Sequence, residues 1–417
     1  MTPFKAAILP VAIASLIGCG SLFSGSASAL PPVNFSISQA QHNLGISEVP
    51  VALADQFTGE LRFNRYTSVV APNGKAIHIV SQDQLTDNQI IRARSVLEHY
   101  LTDFKGSKFG SNKSAVANKM ADNGAVLMLL NGSDDGTNDA AELEAQPLFH
   151  DEIQVEGGPW YMAQNYEHRD ATFEEILHLV HDYGIGVDGY DQFIGALPAY
   201  QAEIRRAQVA ALDGKIWAMS SEVQDWLEEL RQENSLSQEY LASVADSYYG
   251  LWGAYKHQPL RMLDEYTGGW GMWGFYIAST REEVEQRDPR GYRVMTDFFQ
   301  PYLTYNARID ESFNGTFSLK FDSELLYTNQ SRYLKDITLT GNNPVNVVVN
   351  ELDNNISGNQ GENTVVFSGL RYEYDIRREG ATLVVDDHRA NRDGVNRLTS
   401  IEALSFTDGV LPISVIK

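Results

Sequence analysis

The chain has 417 residues, of which 43% are hydrophobic and 11% aromatic, a composition typical of a folded protein and not of a disordered one. Its 55 acidic and 32 basic residues give a net charge of −23, which argues against nucleic acid or an anionic membrane surface as a partner and favours divalent cations. The length exceeds what one ordinary core needs and predicts two domains with extensions.

Residues 1–19 predict an export signal with an apolar run that is too short to span a bilayer. The sequence Leu-Ile-Gly-Cys at 16–19 resembles a bacterial lipobox, so we expect lipidation of Cys19 and attachment to the membrane through an N-terminal lipid anchor. The protein would then be a lipoprotein of the cell envelope. The small-residue stretch 26–29 offers an ordinary cleavage site instead, and it predicts a secreted protein.

The next segments predict a linker and then the start of a folded domain. Residues 20–45 are rich in Ser, Gly, Ala and Pro, as is typical of a spacer. The hydrophobic pattern predicts a strand at 75–80, a helix at 86–104 and a buried strand at 125–130, which an acidic loop follows. Because Cys19 is the only cysteine, the chain cannot form an internal disulfide.

Residues 171–183 predict one helix that places three potential metal ligands on a single face. At roughly 100° per residue, Glu174, His178 and His181 fall within an arc of about 60°, separate from an apolar stripe on the same helix. Imidazole nitrogen and carboxylate oxygen are ligands that Zn²⁺ accepts. The alternative is an ordinary amphipathic helix whose polar face carries two histidines.

The same stretch is a near match to the zinc-peptidase pattern His-Glu-x-x-His, in which the Glu beside the first ligand is the general base. Here Glu174 takes the place of the first histidine, whereas Glu175 keeps the place of the base and His178 that of the second histidine. Replacing a neutral imidazole by a carboxylate lowers the net charge of the site and weakens the metal as a Lewis acid.

Residues 174–183, EEILHLVHDY, resemble the catalytic helix of the anthrax lethal factor class of metallopeptidases. A second segment, QEYLASVADSYY at 238–249, is similar to the downstream helix that supplies the third ligand in that family. The resemblance implies Glu174, His178 and Glu239 as zinc ligands and Glu175 as the base. Reasoning from the residues alone leaves open whether His181 or Glu239 completes the site, and Glu239 is alternatively a solvated residue in the first turn of a helix.

After about residue 310 the composition shifts to Asn, Thr, Val and Gly with the alternation of strands. Residues 353–369 resemble the calcium-binding nonapeptide repeats of haemolysin-type proteins, and about one and a half turns of the repeat are present. The resemblance implies Ca²⁺ ligands at Asp353, Asn355 and Asn363, whose oxygens suit that ion. The alternative is an all-β packing module with Asn-Gly turns.

Together these patterns predict an α+β protein. A zincin-like domain at 46–310, with a mixed α/β upper subdomain and a helical lower subdomain, precedes a connector at 311–336. A smaller all-β domain that resembles calcium-binding repeats follows at 337–417. The expected function is zinc-dependent hydrolysis of a peptide or protein substrate by metal-activated water. The alternative is a catalytically inactive zincin fold that serves as a surface binding or adhesion lipoprotein.

Overall fold

The computed structural model is a mixed α/β protein with three sheets, which confirms the expected fold class at this level. The predicted export signal, Cys19 and most of the predicted linker lie outside the described residues. No helix in the described part of the chain combines the length and the apolarity needed to cross a membrane. The structure describes residues 36–166, 169–188, 194–218, 223–255 and 270–416.

The first sheet has four strands in the order β1-β2-β3-β4. The first two strands pair antiparallel, and the last three run parallel. All residues of β3 are buried, as the continuous apolar run at 125–130 predicted. The strands are β1 (Phe63–Val70), β2 (Ala76–Gln82), β3 (Val126–Leu130) and β4 (Gln146–Phe149).

Four helices come before the predicted metal helix in the chain. The longest of them confirms the helix predicted at 86–104 and begins with a capping box, in which Thr86 and Gln89 exchange side-chain and main-chain hydrogen bonds. The helices are α1 (Gln39–Asn43), α2 (Asp87–Leu101), α3 (Ser114–Asp122) and α4 (Pro159–Ala163).

The predicted metal helix begins at Thr172 and is α-helical only as far as Val180. A π-helical turn, His181–Ile185, continues it. The described part of the region that follows is largely helical. Its helices are α5 (Thr172–Val180), α6 (Pro198–Asp213), α7 (Gln224–Glu233), α8 (Leu236–Tyr248), α9 (Arg281–Arg287) and α10 (Pro289–Phe298).

From β5 to β10 the strands alternate between two sheets, so that each coil of the chain adds one parallel strand to each sheet. β13 and β14 continue this pattern, whereas β11, β12 and β15 pair antiparallel with their neighbours. The six-stranded sheet has the order β11-β12-β13-β9-β7-β5, and the five-stranded sheet β15-β14-β10-β8-β6. We call this part the roll. Its strands are β5 (Leu303–Ile309), β6 (Gly315–Ser318), β7 (Leu334–Leu339), β8 (Val345–Val348), β9 (Asn355–Ser357), β10 (Asn363–Val366), β11 (Tyr374–Glu379), β12 (Thr382–Asp387), β13 (Val395–Thr399), β14 (Ala403–Phe406) and β15 (Gly409–Pro412), and a short helix, α11 (Thr328–Ser331), lies between β6 and β7.

The roll therefore begins earlier than the sequence indicated. Its first strand lies within the predicted zincin-like domain and its second within the predicted connector at 311–336. Parallel partners such as β5 and β7 are separated by a complete coil, so no local hairpin pattern reveals their pairing. One cluster of buried hydrophobic residues extends from Ile37 to Phe406, and the roll packs on the preceding helices through it.

Candidate metal centre

Two helices bring a glutamate, a histidine and a second glutamate together. Glu174, His178 and Glu239 each offer one ligand atom, and these atoms all lie within 4.8 Å of one another. The Nε2 atom of His178 is 3.6 Å from Oε1 of Glu239. In the described part of the chain this is the one group of three or more His, Cys, Asp or Glu side chains that could hold a metal ion.

The packing of α5 against α8 explains this arrangement. Glu174 and His178 are four residues apart on α5 and therefore lie on one side of it. Glu239 lies in the first turn of α8, where every residue from Ser237 to Tyr248 is buried. Glu239 is only 5% exposed, so the alternative of a solvated residue at a helix start is wrong.

The imidazole of His178 is held between two carboxylates. Its Nδ1 is 3.4 Å from Oε2 of Glu175, and the same oxygen accepts a hydrogen bond of 2.8 Å from the side-chain amide of Gln146 on β4. Its Nε2 is buried and has no hydrogen-bond partner. Glu175 and Gln146 thus fix the ring so that Nε2 points towards Glu239, and a carboxylate at the far nitrogen is the usual way in which proteins orient a metal-binding histidine.

A single guanidinium lies among the glutamates of the site. The guanidinium of Arg169 pairs with Glu174. Its Nη2 atom lies 3.4 Å from Oε1 of Glu175, and its Nε atom lies 3.9 Å from Oε1 of Glu152. With His178 neutral, the four carboxylates of Glu152, Glu174, Glu175 and Glu239 outnumber this cation by three charges. Excess negative charge in a buried site is costly unless a proton or a metal ion compensates for it.

The pKa shifts of these groups reflect the same excess. Burial alone would lower the pKa of His178, but Glu239, Glu175 and Glu174 outweigh it and raise the value to about 10. Burial raises the pKa of Glu239, and the neighbouring carboxylates act in the same direction. Without a metal ion the site therefore retains protons. A divalent cation bound between these side chains would displace them.

No family model matches the chain, and neither the curated proteins nor the solved structures include a match to it. The site is therefore interpreted from its own geometry.

The donor set fits a zinc ion. Ligand atoms 2.0–2.2 Å from a tetrahedral ion are roughly 3.3–3.6 Å apart. The separation of 3.6 Å between His178 and Glu239 meets this requirement. The ligand atom of Glu174 lies within 4.8 Å of the other two, and the same side chain pairs with Arg169. Three protein ligands would leave the fourth position of a tetrahedral ion free for water, as in catalytic zinc sites.

His181 does not belong to this group, which corrects the expectation of three ligands on one helix face. The helix changes to a π-helical turn at His181, and the wider turn breaks the regular spacing of 100° per residue. The Nε2 atom of His181 bonds to Oε1 of Gln201 on α6 at 2.5 Å. Burial lowers the pKa of His181 to about 4, so this side chain is a neutral part of the helix packing.

The three residues predicted to bind calcium have different partners in the roll. Asp353 is exposed and accepts from the main-chain N–H of Val395 at 2.9 Å. Asn355 lies in the six-stranded sheet and donates to Asp336 at 2.7 Å. Asn363 lies in the five-stranded sheet, and its side-chain oxygen accepts from the N–H of Asn359 at 2.8 Å. Asn355 and Asn363 belong to different sheets, and each of the three side chains has a hydrogen-bond partner of its own.

Sequence reasoning missed two residues that contact the glutamates of the metal centre. Arg169 precedes α5 in a loop, and Gln146 lies on a short strand that contains Pro147, so neither has a local pattern that marks it.

Proposed function

We propose that this protein is an exported, zinc-dependent, peptidase-like hydrolase in which Glu174, His178 and Glu239 hold the metal ion. The convergence of these three side chains from two helices carries the proposal. The unpartnered, buried Nε2 of His178 supports it independently, because a buried polar atom of a folded protein normally has a partner.

Zinc is the ion that this donor set favours. One imidazole and two carboxylates combine a nitrogen with hard oxygens, whereas calcium and magnesium prefer oxygens alone. Bound zinc would polarise the carbonyl of a peptide bond and lower the pKa of a water molecule. The second carboxylate in the ligand set makes the site more negative than one with two histidines, so we expect modest activity.

Glu175 is the candidate acceptor for the proton of that water. It lies beside the ligand group without belonging to it. The same carboxylate also holds Nδ1 of His178 and accepts from Gln146. We therefore assign Glu175 two roles, as the orienting partner of His178 and as the general base, and the two roles can be separated by experiment.

The wider arrangement supports a zincin-like protein of the lethal factor type. A mixed sheet precedes the metal helix, and the helix that carries Glu239 belongs to the helical region that follows. The peptide or protein substrate, attachment to the membrane through Cys19 and location in the cell envelope are parts of the same proposal, and they rest on the sequence alone.

The second candidate is an inactive zincin-like fold that serves as a surface binding or adhesion module. The observation that favours it is the pairing of Arg169 with Glu174, because this ion pair neutralises one of the metal ligands. If Arg169 keeps this position, its guanidinium supplies the positive charge that a metal ion would otherwise bring to Glu174.

A hydrolysis assay distinguishes the two candidates. Purified protein supplied with zinc would be incubated with a peptide library, with and without a chelator, beside the variant Glu239→Gln. We expect cleavage that the chelator and the variant both abolish. Cleavage that withstands both would point to a contaminant or to another site, and zinc binding without any cleavage would favour the inactive module.

A further inference from the structure

The start of α8 carries a residue of the metal centre but lacks the usual helix cap. Glu239 lies in the first turn of this helix, which begins at Leu236. The N-cap residue, Ser235, makes no capping hydrogen bond through its side chain to any described residue. Because uncapped helix ends leave main-chain groups unpaired and fray most readily, the place of Glu239 depends on support from other side chains.

The first support comes from Asp182, in the π-helical turn that continues the metal helix. The side-chain amide of Gln238, the residue directly before Glu239, donates to Oδ1 of Asp182 at 2.7 Å. Both side chains are buried, so water does not compete for this bond. The bond therefore ties α8 to the metal helix one residue before Glu239.

The second support comes from His181 through Gln201 on α6. The Nε2 atom of His181 is 2.5 Å from Oε1 of Gln201. The amide nitrogen of Gln201 donates to Oγ of Ser237 at 3.2 Å and to Oδ2 of Asp188 at 3.3 Å. Because this amide nitrogen donates, Oε1 of Gln201 is the acceptor for the proton on Nε2 of His181. The chain of bonds reaches α8 two residues before Glu239.

Two consecutive residues of the π-helical turn are thus connected to two consecutive residues of α8. The N–H of Gly186 bonds to the carbonyl of His181 at 2.8 Å, a pairing of residues five apart that defines the wider turn. The preceding part of the same helix carries Glu174 and His178. One continuous helical segment therefore supplies two residues of the metal centre and holds the helix that supplies the third.

We propose that His181 and Asp182 are positioning residues that set the place of Glu239 in the metal centre. The inference rests on the proposed function, in which Glu174, His178 and Glu239 are the zinc ligands. Zinc requires its ligand atoms within about 0.2 Å of their ideal distances, and a frayed helix start cannot hold a carboxylate with that precision. His181 then serves the site without touching the ion.

The test is the zinc affinity of Gln238→Met, measured by competition with a chromophoric chelator. This change removes the amide but keeps the length and the neutral charge of the side chain, and it should lower the affinity by about tenfold. In an Asp182→Ala background the same change should have no further effect, because the bond is already lost. The charge of Asp182 cancels in this comparison, since both proteins of that background lack it.

Gln330→Met is the matched control, because it makes the same exchange at a buried glutamine of α11 in the roll and should leave the zinc affinity unchanged. Cobalt(II) in place of zinc gives a second readout, since its visible absorption depends on the number and geometry of its ligands. Gln238→Met should change this spectrum, whereas a purely structural loss of stability would not. Ser237→Ala covers the case in which Gln238→Met fails to fold, and it should lower the zinc affinity by about threefold through the longer chain of bonds.

The outcomes separate this inference from the proposed function. A wild-type affinity and cobalt spectrum in both Gln238→Met and Ser237→Ala would overturn the positioning role and leave the metal centre intact. An equal loss on Gln238→Met with and without Asp182 would also overturn it, because the bond between the two side chains would not be the cause. A wild-type protein that binds neither zinc nor cobalt would overturn the proposed function and this inference together.

Discussion

The change Glu175→Gln separates the two roles of this residue. The Gln side chain has the same shape but lacks the charge that attracts the Nδ1–H of His178 across 3.4 Å. Loss of a group that orients a metal ligand typically lowers metal affinity by about 10- to 100-fold, which corresponds to roughly 1.4–2.8 kcal/mol. We therefore expect zinc to bind more weakly in this proportion and hydrolysis to fall by a further factor of about 10²–10⁴ if Glu175 is also the base.

Competition with a chromophoric chelator would measure the zinc affinity, and peptide turnover at saturating zinc would measure the loss of the base. Glu203→Gln is the matched control, because it removes one carboxylate that pairs with Arg206 and Lys108 on the surface of the protein. An unchanged zinc affinity in Glu175→Gln would refute the orienting role and leave only the role of the base. Unchanged turnover at saturating zinc would refute the role of the base.

Three further changes test other parts of the structure. Arg169→Gln should raise the zinc affinity in the same competition assay, because it frees Glu174 and removes a positive charge from the site; a lower affinity would mean that Arg169 supports the ion. Burial, with a contribution from Lys113, lowers the pKa of His99 to about 3, and its Nδ1 accepts from the N–H of Thr304 at 3.2 Å, so the fold requires the neutral ring. The unfolded chain then binds more protons below about pH 6.5, and the free energy of unfolding should fall by about 2 kcal/mol between pH 7.5 and 5 on account of His99 alone. Denaturant titrations at several pH values measure this free energy, and an equal dependence on pH in the wild type and in His99→Gln would contradict the prediction. Cys19→Ala should move the protein from the membrane fraction to the soluble fraction, because two lipid signals give stable attachment; a wild-type mature N-terminus at residue 30 would speak for secretion instead.

Local patterns in the sequence predicted the elements that depend on local physics. The helix at 86–104 follows from apolar periodicity, and the strand at 125–130 follows from a continuous apolar run. The pair Glu174 and His178 follows from helical spacing in the same way. The role of Glu239 as a ligand was predicted only from the family resemblance, because nothing in the neighbouring sequence indicates that α8 packs against α5.

Features that depend on distant contacts were not predictable from local patterns. The π-helical turn at His181 accompanies a bond to Gln201 on another helix, so regular helical spacing placed His181 on the wrong face. The repeat-like sequence correctly indicated strands and turns. It did not reveal that β9 and β13 pair in parallel, because that pairing joins residues of different coils.

The most direct test of the central claim is the zinc content of the purified protein after saturation with zinc and removal of the excess. We expect a single tightly bound ion in the wild-type protein, its loss in His178→Ala and Glu239→Gln, and its retention in the control His150→Ala, which removes a half-buried histidine that pairs with Asp151. A wild-type protein that retains no zinc, or a His178→Ala variant that binds zinc as tightly as the wild type, would contradict the assignment of Glu174, His178 and Glu239 as a metal centre.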